Sequence, residues 1–273
     1  MQPMTDLARL SLNQATTQRW SLREAIEGCA RAGIPAIGIW RDKLAELGLA
    51  QATRLVRNAG LRVSSVCRGG MFPAATAAER RARIDDNRRA VDEAAALGAD
   101  VLVLVCGPAP DKDIAAARSM VREGIAALLS YAAEHGVRLG IEPLHPIFAG
   151  DRSVIVTLAE ANALVEAFAS PALGIVADVY HIWWDPELYP QIARAAGHIV
   201  GFHVNDWIVP LPDPLLGRGM MGDGVIELRR IRTAVDAVGY TGPIEVEIFN
   251  QALWAMRSDA VLALMCERFL AYV

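Results

Sequence analysis

Short apolar runs alternate with longer helical segments along the whole chain, and this alternation constrains the fold more than any other feature. Eight of the runs have the length of buried strands: Leu7–Asn13, Ala36–Trp40, Leu61–Cys67, Val101–Cys106, Val137–Glu142, Leu173–Asp178, Ile199–Val204 and Ile244–Phe249. Several are apolar throughout, which is typical of strands that are buried on both faces of a parallel sheet.

The segments between these runs carry the residues that begin and end helices. Ser21-Leu-Arg-Glu24 has the form of a capping box and predicts a helix that ends near Gly33. Asp185-Pro186 predicts another helix start, with aspartate as the cap and proline in the first turn. The other predicted helices cover Ala77–Leu97, Asp111–His135, Thr157–Phe168, Glu227–Val238 and Ser258–Leu270.

Eight strand-then-helix units within 273 residues predict an α/β fold of the (β/α)8 TIM-barrel type, formed by residues 1–273 as a single domain. The alternative is an open, doubly wound sheet. That fold rarely needs eight parallel strands, and no Gly-x-Gly-x-x-Gly sequence follows the first run. The barrel is therefore the better prediction.

Composition excludes several classes of protein. The net charge of −4 argues against a nucleic-acid partner. Residues 1–10 lack a basic segment followed by an apolar core, and no uncharged apolar run reaches the roughly 18 residues that span a bilayer, so we expect no membrane association. The four cysteines (Cys29, Cys67, Cys106 and Cys266) are widely spaced, which favours a reducing, cytoplasmic location.

In a TIM barrel the chemistry gathers where strands end and the following loops begin. The last four predicted strands each end in or contain a residue that can bind a metal: Glu142, Asp178, His203 and Glu247. Carboxylates in apolar strands are costly to bury, and several at one barrel mouth would repel one another unless a cation compensates them. Three carboxylates and one imidazole favour manganese or magnesium, with cobalt possible, over structural zinc.

Several blocks of the second half of the chain resemble a known family. They are Ile141-Glu-Pro-Leu-His145, Asp178-Val-Tyr-His181, His203-Val-Asn-Asp206, Arg218 before Gly222-Asp-Gly224, and Gly239-Tyr-Thr-Gly-Pro-Ile-Glu-Val-Glu247. These blocks resemble the sugar phosphate isomerase/epimerase family, the xylose-isomerase-like group of metal-dependent barrels that also includes family 2 AP endonucleases. The first half of the chain matches in architecture only.

The resemblance implies one divalent ion, held by the four strand-end residues named above. It also implies that Glu142 and Glu247 face each other across the substrate and move a proton, as in the epimerases. His181 matches a histidine that contacts substrate oxygens, and Arg218 matches an arginine that contacts the substrate or a glutamate. Glu245 competes for the fourth ligand position, because alternation along a strand places it on the same face as Glu247, whereas the spacing from Gly242 favours Glu247.

Such a site predicts proton abstraction next to a carbonyl. A chelated α-hydroxy ketone is polarised by the metal, which stabilises an enediolate, and a carboxylate takes the proton from the adjacent carbon. Return of the proton gives an isomerase or epimerase of a keto sugar, a sugar acid or an inositol-type ketone. With one competent base, the same intermediate would expel a β-substituent, and the chain would then be a 3-keto-glycoside lyase.

Three further residues are candidates near the barrel mouth. His145 follows Glu142 by three residues and is predicted to be either a catalytic base or substrate contact, or an ordinary loop residue. Arg68, like Arg41, ends an early strand and is a candidate for binding carboxylates or hydroxyls. Trp184 belongs to a group of tryptophans that follow predicted strands and could stack on a sugar or aglycone: Trp40, Trp183, Trp184, Trp207 and Trp254.

Other activities of related barrels fit the sequence less well. An AP endonuclease needs additional histidines after the early strands, but all five histidines lie at or after position 135. A two-metal hydride shift needs a lysine and further carboxylates that have no clear match here. A barrel that keeps its metal only as an assembly subunit would not need His181 and Arg218. Barrels of this group often form homo-oligomers or work with a small partner subunit, so we expect either association here.

Overall fold

The computed structural model describes residues 3–273, in which eight parallel strands close into a barrel in the order β1-β10-β7-β6-β5-β4-β3-β2. The strands are β1 (Leu10–Asn13), β2 (Ala36–Trp40), β3 (Arg62–Gly70), β4 (Leu102–Val105), β5 (Leu139–Ile141), β6 (Leu173–Asp178), β7 (Ile199–Val204), β8 (Asp206–Trp207), β9 (Arg218–Gly219) and β10 (Ile244–Val246). Strands β8 and β9 form a separate antiparallel ribbon. The predicted (β/α)8 barrel is confirmed.

Helices surround the barrel and lie in the connections between its strands. They are α1 (Leu22–Ala32), α2 (Arg41–Leu47), α3 (Leu49–Asn58), α4 (Ala77–Leu97), α5 (Ile114–Glu134), α6 (Leu158–Phe168), α7 (Val179–Ile182), α8 (Leu188–Arg194), α9 (Leu228–Ala237), α10 (Gln251–Ala255) and α11 (Ser258–Tyr272). The predicted capping box is present, since the Glu24 carboxylate accepts a hydrogen bond from the Ser21 amide at 2.8 Å.

Several element boundaries differ from the prediction, and three of them show the physical cause. Strand β1 begins at Leu10 because the Leu10 amide donates to the Leu7 carbonyl across a turn. Strand β3 continues to Gly70 past a register shift. Helix α8 begins at Leu188, since the Asp185 side chain accepts from the Glu187 amide and holds a turn there instead of capping a helix.

The core has two layers. The larger one lies between the strands and the helices, and a smaller apolar cluster of Cys67, Val101, Val103, Val176 and Val200 lies inside the barrel. Towards the carboxyl ends of the strands the interior becomes polar.

Within the described residues no helix is both long and apolar enough to cross a bilayer. The first two residues of the N-terminal segment discussed above lie outside the described residues.

Candidate metal centre

Four buried side chains meet at the carboxyl end of the barrel. Glu142 directly follows β5, Asp178 ends β6, His203 is on β7 and Glu247 directly follows β10, and these strands are neighbours in the barrel. Each side chain offers one ligand atom, and the four atoms lie within 4.8 Å of one another. The structure thus brings together the four residues that the sequence predicts as ligands, in a group that could hold a metal ion.

Two atoms of this group fit a cation in particular. Glu142 Oε1 and His203 Nδ1 lie 3.4 Å apart, and both are buried without a hydrogen-bond partner. A buried polar atom without a partner is costly, and a shared cation would satisfy both atoms at once. The oxygen-rich donor set suits a divalent ion.

The electrostatic environment separates the two glutamates. Burial raises the pKa of Glu142 to about 7, and the charge of Glu247 adds to this effect. Burial alone would also raise the pKa of Glu247, but the neighbouring His203 ring and Arg218 guanidinium lower it to about 2. Burial opposes the charged form of His203, yet the carboxylates around it, Glu245 foremost, raise its pKa well above the ordinary value.

Arg218 is the cation that the structure already provides at this site. Its Nη1 donates to Asp178 Oδ2 at 2.8 Å and to Glu247 Oε2 at 3.0 Å, so it orients two of the four candidate ligands. The guanidinium carbon also lies 4.5 Å from the centroid of the Tyr180 ring and 4.9 Å from that of Phe249.

Asp206 fixes the loop that carries Arg218. Its carboxylate accepts hydrogen bonds from the amides of Trp207 at 2.9 Å, Gly222 at 2.9 Å and Ile226 at 3.0 Å. These bonds join β8 to the segment that follows β9, and the short ribbon holds Arg218 against the barrel mouth. Asp206 is part of the motif His203-Val-Asn-Asp206, but the motif alone predicts no role for it.

His181 lies beside the ligand group in α7. Its Nδ1 accepts from the His145 amide at 3.1 Å, and its Nε2 lies 3.2 Å from Arg218 Nη2. Burial lowers the pKa of His181 to about 3, so the ring is neutral near pH 7. A neutral imidazole at the edge of the site is suited to a hydrogen bond with a substrate oxygen.

Glu245 is not part of the ligand group. It is buried, and its carboxylate accepts from Asn13 Nδ2 at 2.6 Å, Ser64 Oγ at 2.6 Å and Ser65 Oγ at 2.9 Å. Its Oε1 lies 3.8 Å from His203 Nε2, on the opposite edge of the ring from the orphaned Nδ1. Glu245 therefore lies beneath the candidate ligands, where it contacts the His203 ring and is itself held by hydrogen bonds.

The depth of these side chains resolves the ambiguity between Glu245 and Glu247. Both point into the barrel as alternation requires, but two residues along a strand correspond to about 6.6 Å. Glu247 lies at the mouth, whereas Glu245 lies one layer deeper, over Gly38. A Cβ on Gly38 would come within 2.0 Å of Glu245 Oε1, so the carboxylate occupies the space that a side chain would fill.

A cavity of about 150 Å³ opens onto the ligand group. Glu142, Glu247, His181 and Arg218 line it, as does Arg68. A larger chamber of about 550 Å³ adjoins it and shares Trp40, Cys67 and Arg68 as lining residues. Arg68 therefore lies where the sequence predicts a substrate contact.

For two arginines of the cavity region, Arg41 and Arg152, the sequence did not show the surroundings that the structure reveals. Arg41, considered beside Arg68, is held by Asp86 at 3.0 Å and by Glu93, so its charge is already neutralised. Arg152 lines the small cavity but was not singled out, because it lies in a loop without strand or helix periodicity. Only its position ten residues after Glu142, in the same strand-to-helix connection, could have suggested it.

His145 and Trp184 lie beside each other but outside the lining of the small cavity. Their ring centroids are 5.4 Å apart, and the His145 ring stacks on Trp207 at 5.0 Å. Trp184 Nε1 donates to the carbonyl of His181. A catalytic role for His145 and a substrate contact for Trp184 stay predictions, and the contacts seen here connect both residues to the site through His181.

Comparison with known proteins gives a family and two relatives of known name. A family model described as "Xylose isomerase-like TIM barrel" matches residues 26–265. A 3-dehydroshikimate dehydratase of Pseudomonas putida is 27% identical over 252 residues, which cover 86% of this chain but only 37% of the dehydratase. The L-ribulose-5-phosphate 3-epimerase UlaE of Escherichia coli O1:K1 is 23% identical over 222 residues, covering 77% of this chain and 74% of the epimerase.

Solved structures include a protein that is similar in sequence and others, at lower identity, that share the fold. A protein from Sinorhizobium meliloti 1021 is 49% identical, covers 98% of this chain and 99% of its own, and superposes with a TM-score of 0.96. The IolI protein with a bound zinc atom has a TM-score of 0.85 at 18% identity, with coverage of 97% and 98%. At that identity the likeness shows the fold alone, and the zinc is an observation on IolI.

Proposed function

The chain belongs to the xylose isomerase-like TIM-barrel family, and on that premise we propose that it is a divalent-metal-dependent enzyme that moves a proton next to the carbonyl of a small hydroxy ketone. One observation carries the proposal. Four candidate ligand atoms lie within 4.8 Å of one another, two of them are buried without partners, and the group faces a cavity of about 150 Å³. Both named relatives are enzymes, one an epimerase and one a dehydratase.

Glu142, Asp178, His203 and Glu247 would hold the ion. We propose manganese, with magnesium or cobalt as alternatives, because hard carboxylate oxygens dominate the donor set. When bound, the ion supplies Lewis-acid polarisation of a carbonyl. Comparing the affinities for Mn²⁺, Mg²⁺, Co²⁺ and Zn²⁺ by calorimetry tests the choice of metal.

The two glutamates would carry the proton. Both line the cavity, one after β5 and the other after β10, so they approach a bound ketone from different sides of the barrel mouth. One carboxylate removes the proton from the carbon beside the carbonyl, and the other returns one to the opposite face or to the neighbouring carbon. Arg218 fixes the orientation of Glu247, while His181 would bind a substrate oxygen.

Elimination is the second candidate. It is favoured by the match to a dehydratase over 86% of this chain and by the adjoining chamber of about 550 Å³, which could take a departing group. In that reaction one glutamate removes the proton, and the electron pair of the broken C–H bond forms a double bond as the β-substituent leaves. The substituent takes up a proton and departs as water or as the aglycone of a 3-keto-glycoside.

Deuterium incorporation distinguishes the two. Purified protein loaded with Mn²⁺ is incubated in D₂O with a panel of keto sugars, keto acids, inositol-type ketones and 3-keto-glycosides, and the products are followed by NMR. Deuterium beside the carbonyl with all substituents intact supports the isomerase or epimerase, and release of water or aglycone supports the lyase. Neither reaction with any compound, at full metal occupancy, would contradict the proposal.

Variants test the proton transfer itself. Glu142→Gln and Glu247→Gln should each abolish deuterium exchange, whereas Glu134→Gln, at the exposed end of α5, should not change it. Full turnover by either active-site variant with metal bound would refute the assignment.

Association into a homo-oligomer or with a small partner subunit, and a cytoplasmic location, stay predictions. Light scattering after size-exclusion chromatography tests the first of them.

A further inference from the structure

We propose that the substrate of this site carries an anionic group, a carboxylate or a phosphate, which Arg68 and Arg152 bind at the cavity wall. This inference rests on the proposed function, because it names the class of ketone that the candidate metal centre would take. It depends on two arginines that the centre itself does not use.

Arg152 is at the cavity, and no described residue accepts a hydrogen bond from its guanidinium group. It lines the cavity, and its buried Nε has no hydrogen-bond partner among the described residues. Its ion pair with the adjacent Asp151 is long, at 3.9 Å. The guanidinium carbon lies 5.8 Å from the centroid of the Phe148 ring, a contact that uses none of the N–H donors of the group.

Arg68 approaches the same cavity from β3. It is half-buried, it lines both the small cavity and the outer chamber, and residues 3–273 provide no hydrogen-bond or ion-pair partner for its guanidinium. Arg41, which also lines the outer chamber, shows the contrast, because Asp86 and Glu93 hold it in a network of ion pairs. Arg41 is thus paired with acidic residues, whereas Arg68, which borders the candidate site, has no such partner among the described residues.

Charge balance points in the same direction. A divalent ion together with Arg218 would neutralise the three carboxylates of Glu142, Asp178 and Glu247. Glu245 is satisfied below them by Asn13 and two serines. At the cavity wall, Arg68 then has no carboxylate partner among the described residues, and Arg152 has only the long ion pair with Asp151.

The other walls strengthen the attraction. Trp40, Leu144, Phe148 and Phe249 line the cavity, and apolar walls lower the local dielectric around the two guanidinium groups. Guanidinium groups bind carboxylate and phosphate oxygens through paired, charge-assisted hydrogen bonds. A neutral ketone would offer neither guanidinium group such a pair of charged acceptor oxygens.

The test compares three ketoses that differ only at C6: D-fructose, D-fructuronate and D-fructose 6-phosphate. Binding to the Mn²⁺-loaded protein is measured by calorimetry. We expect at least one anion to bind about tenfold or more tightly than D-fructose, and the tighter anion identifies the source of the charge. Equal affinity for the three ketoses, or binding of none of them, would overturn the inference.

Matched variants assign the effect to the two side chains. Arg68→Gln and Arg152→Gln should each weaken binding of the preferred anion by about tenfold to a hundredfold and weaken binding of D-fructose far less. Arg68→Lys and Arg152→Lys keep the charge and should recover part of the loss. The control is Arg122→Gln, an exposed position on α5, which should change nothing. Circular dichroism and Mn²⁺ stoichiometry verify that each variant is folded and loaded.

The outcomes separate this inference from the proposed function. Arginine-dependent anion binding without deuterium exchange in any substrate would contradict the proposed reaction and leave the anion site standing. Deuterium exchange that proceeds equally well with neutral and anionic ketones, and that Arg68→Gln and Arg152→Gln do not alter, would refute the anion site and leave the reaction standing.

Discussion

Replacing Glu245 by alanine should weaken both the barrel and the metal centre. The substitution leaves Ser65 Oγ without the partner it has at 2.9 Å, while Asn13 and Ser64 keep bonds to Glu247 and Ser11. One buried donor without a partner costs about 1–3 kcal/mol, and two further charge-assisted bonds are lost. We expect the free energy of unfolding to fall by about 3–5 kcal/mol, the range found when one partner of a buried ionic contact is removed.

Metal binding should respond as well, because Glu245 Oε1 faces the Nε2 edge of the His203 ring. Removing a carboxylate that orients a ligating histidine lowers metal affinity by about 10–100-fold. Urea unfolding of the metal-free protein followed by circular dichroism measures the first effect, and calorimetric titration with Mn²⁺ measures the second.

Ser65→Ala is the matched control. It removes one of the three hydrogen bonds to Glu245 but keeps the charge, so unfolding should become easier by only about 1 kcal/mol and Mn²⁺ affinity should hardly change. The reasoning is refuted if Glu245→Ala unfolds at the same urea concentration as the unaltered protein and binds Mn²⁺ equally well.

Three further predictions follow from the same region. Gly38→Ala should destabilise the protein by about 1–3 kcal/mol in thermal or urea unfolding, because the added Cβ would lie 2.0 Å from Glu245 Oε1; unchanged stability would contradict this. Mn²⁺ affinity should fall as the pH drops, because the raised pKa values of Glu142 and His203 mean that protons increasingly compete with the ion for these two residues; calorimetry at several pH values measures this, and a flat profile would contradict it. Asp206→Ala should speed hydrogen exchange of the Gly222 and Ile226 amides and slow turnover, because the loop that carries Arg218 loses its anchor; unchanged exchange would contradict this role.

The barrel and its candidate ligands could be predicted because their signals are local. Glu142 and Asp178 stand at the ends of apolar strands, where a charge needs a partner, and alternation along β10 placed Glu245 and Glu247 on one face. Alternation alone could not say which of the two lies at the mouth, and only the spacing from Gly242 favoured Glu247, because depth in the barrel depends on how β10 pairs with β1 and β7.

What the sequence did not reveal depends on loops and distant contacts. Arg152 carries no periodic signal, and its position at the cavity follows from the path of the connection between β5 and α6. Arg41 and Arg68 are equivalent in sequence, since each ends or follows an early strand. Asp86 and Glu93, the residues of α4 that neutralise Arg41, are 45 and 52 positions away from it. Only the packed structure therefore distinguishes the two arginines.

The polar layer beneath the metal centre also links catalysis to the completion of the ring. Glu245 on β10 bonds to Asn13, 232 positions away on β1, and to Ser64, 181 positions away on β3. A growing chain that stops before residue 244 would contain three of the four candidate ligands, yet it would lack both Glu247 and the strand that joins the two ends. The affinity for the proposed ion would therefore report closure of the barrel, because a fragment, an open sheet or a slipped last strand would lack the complete group of candidate ligands.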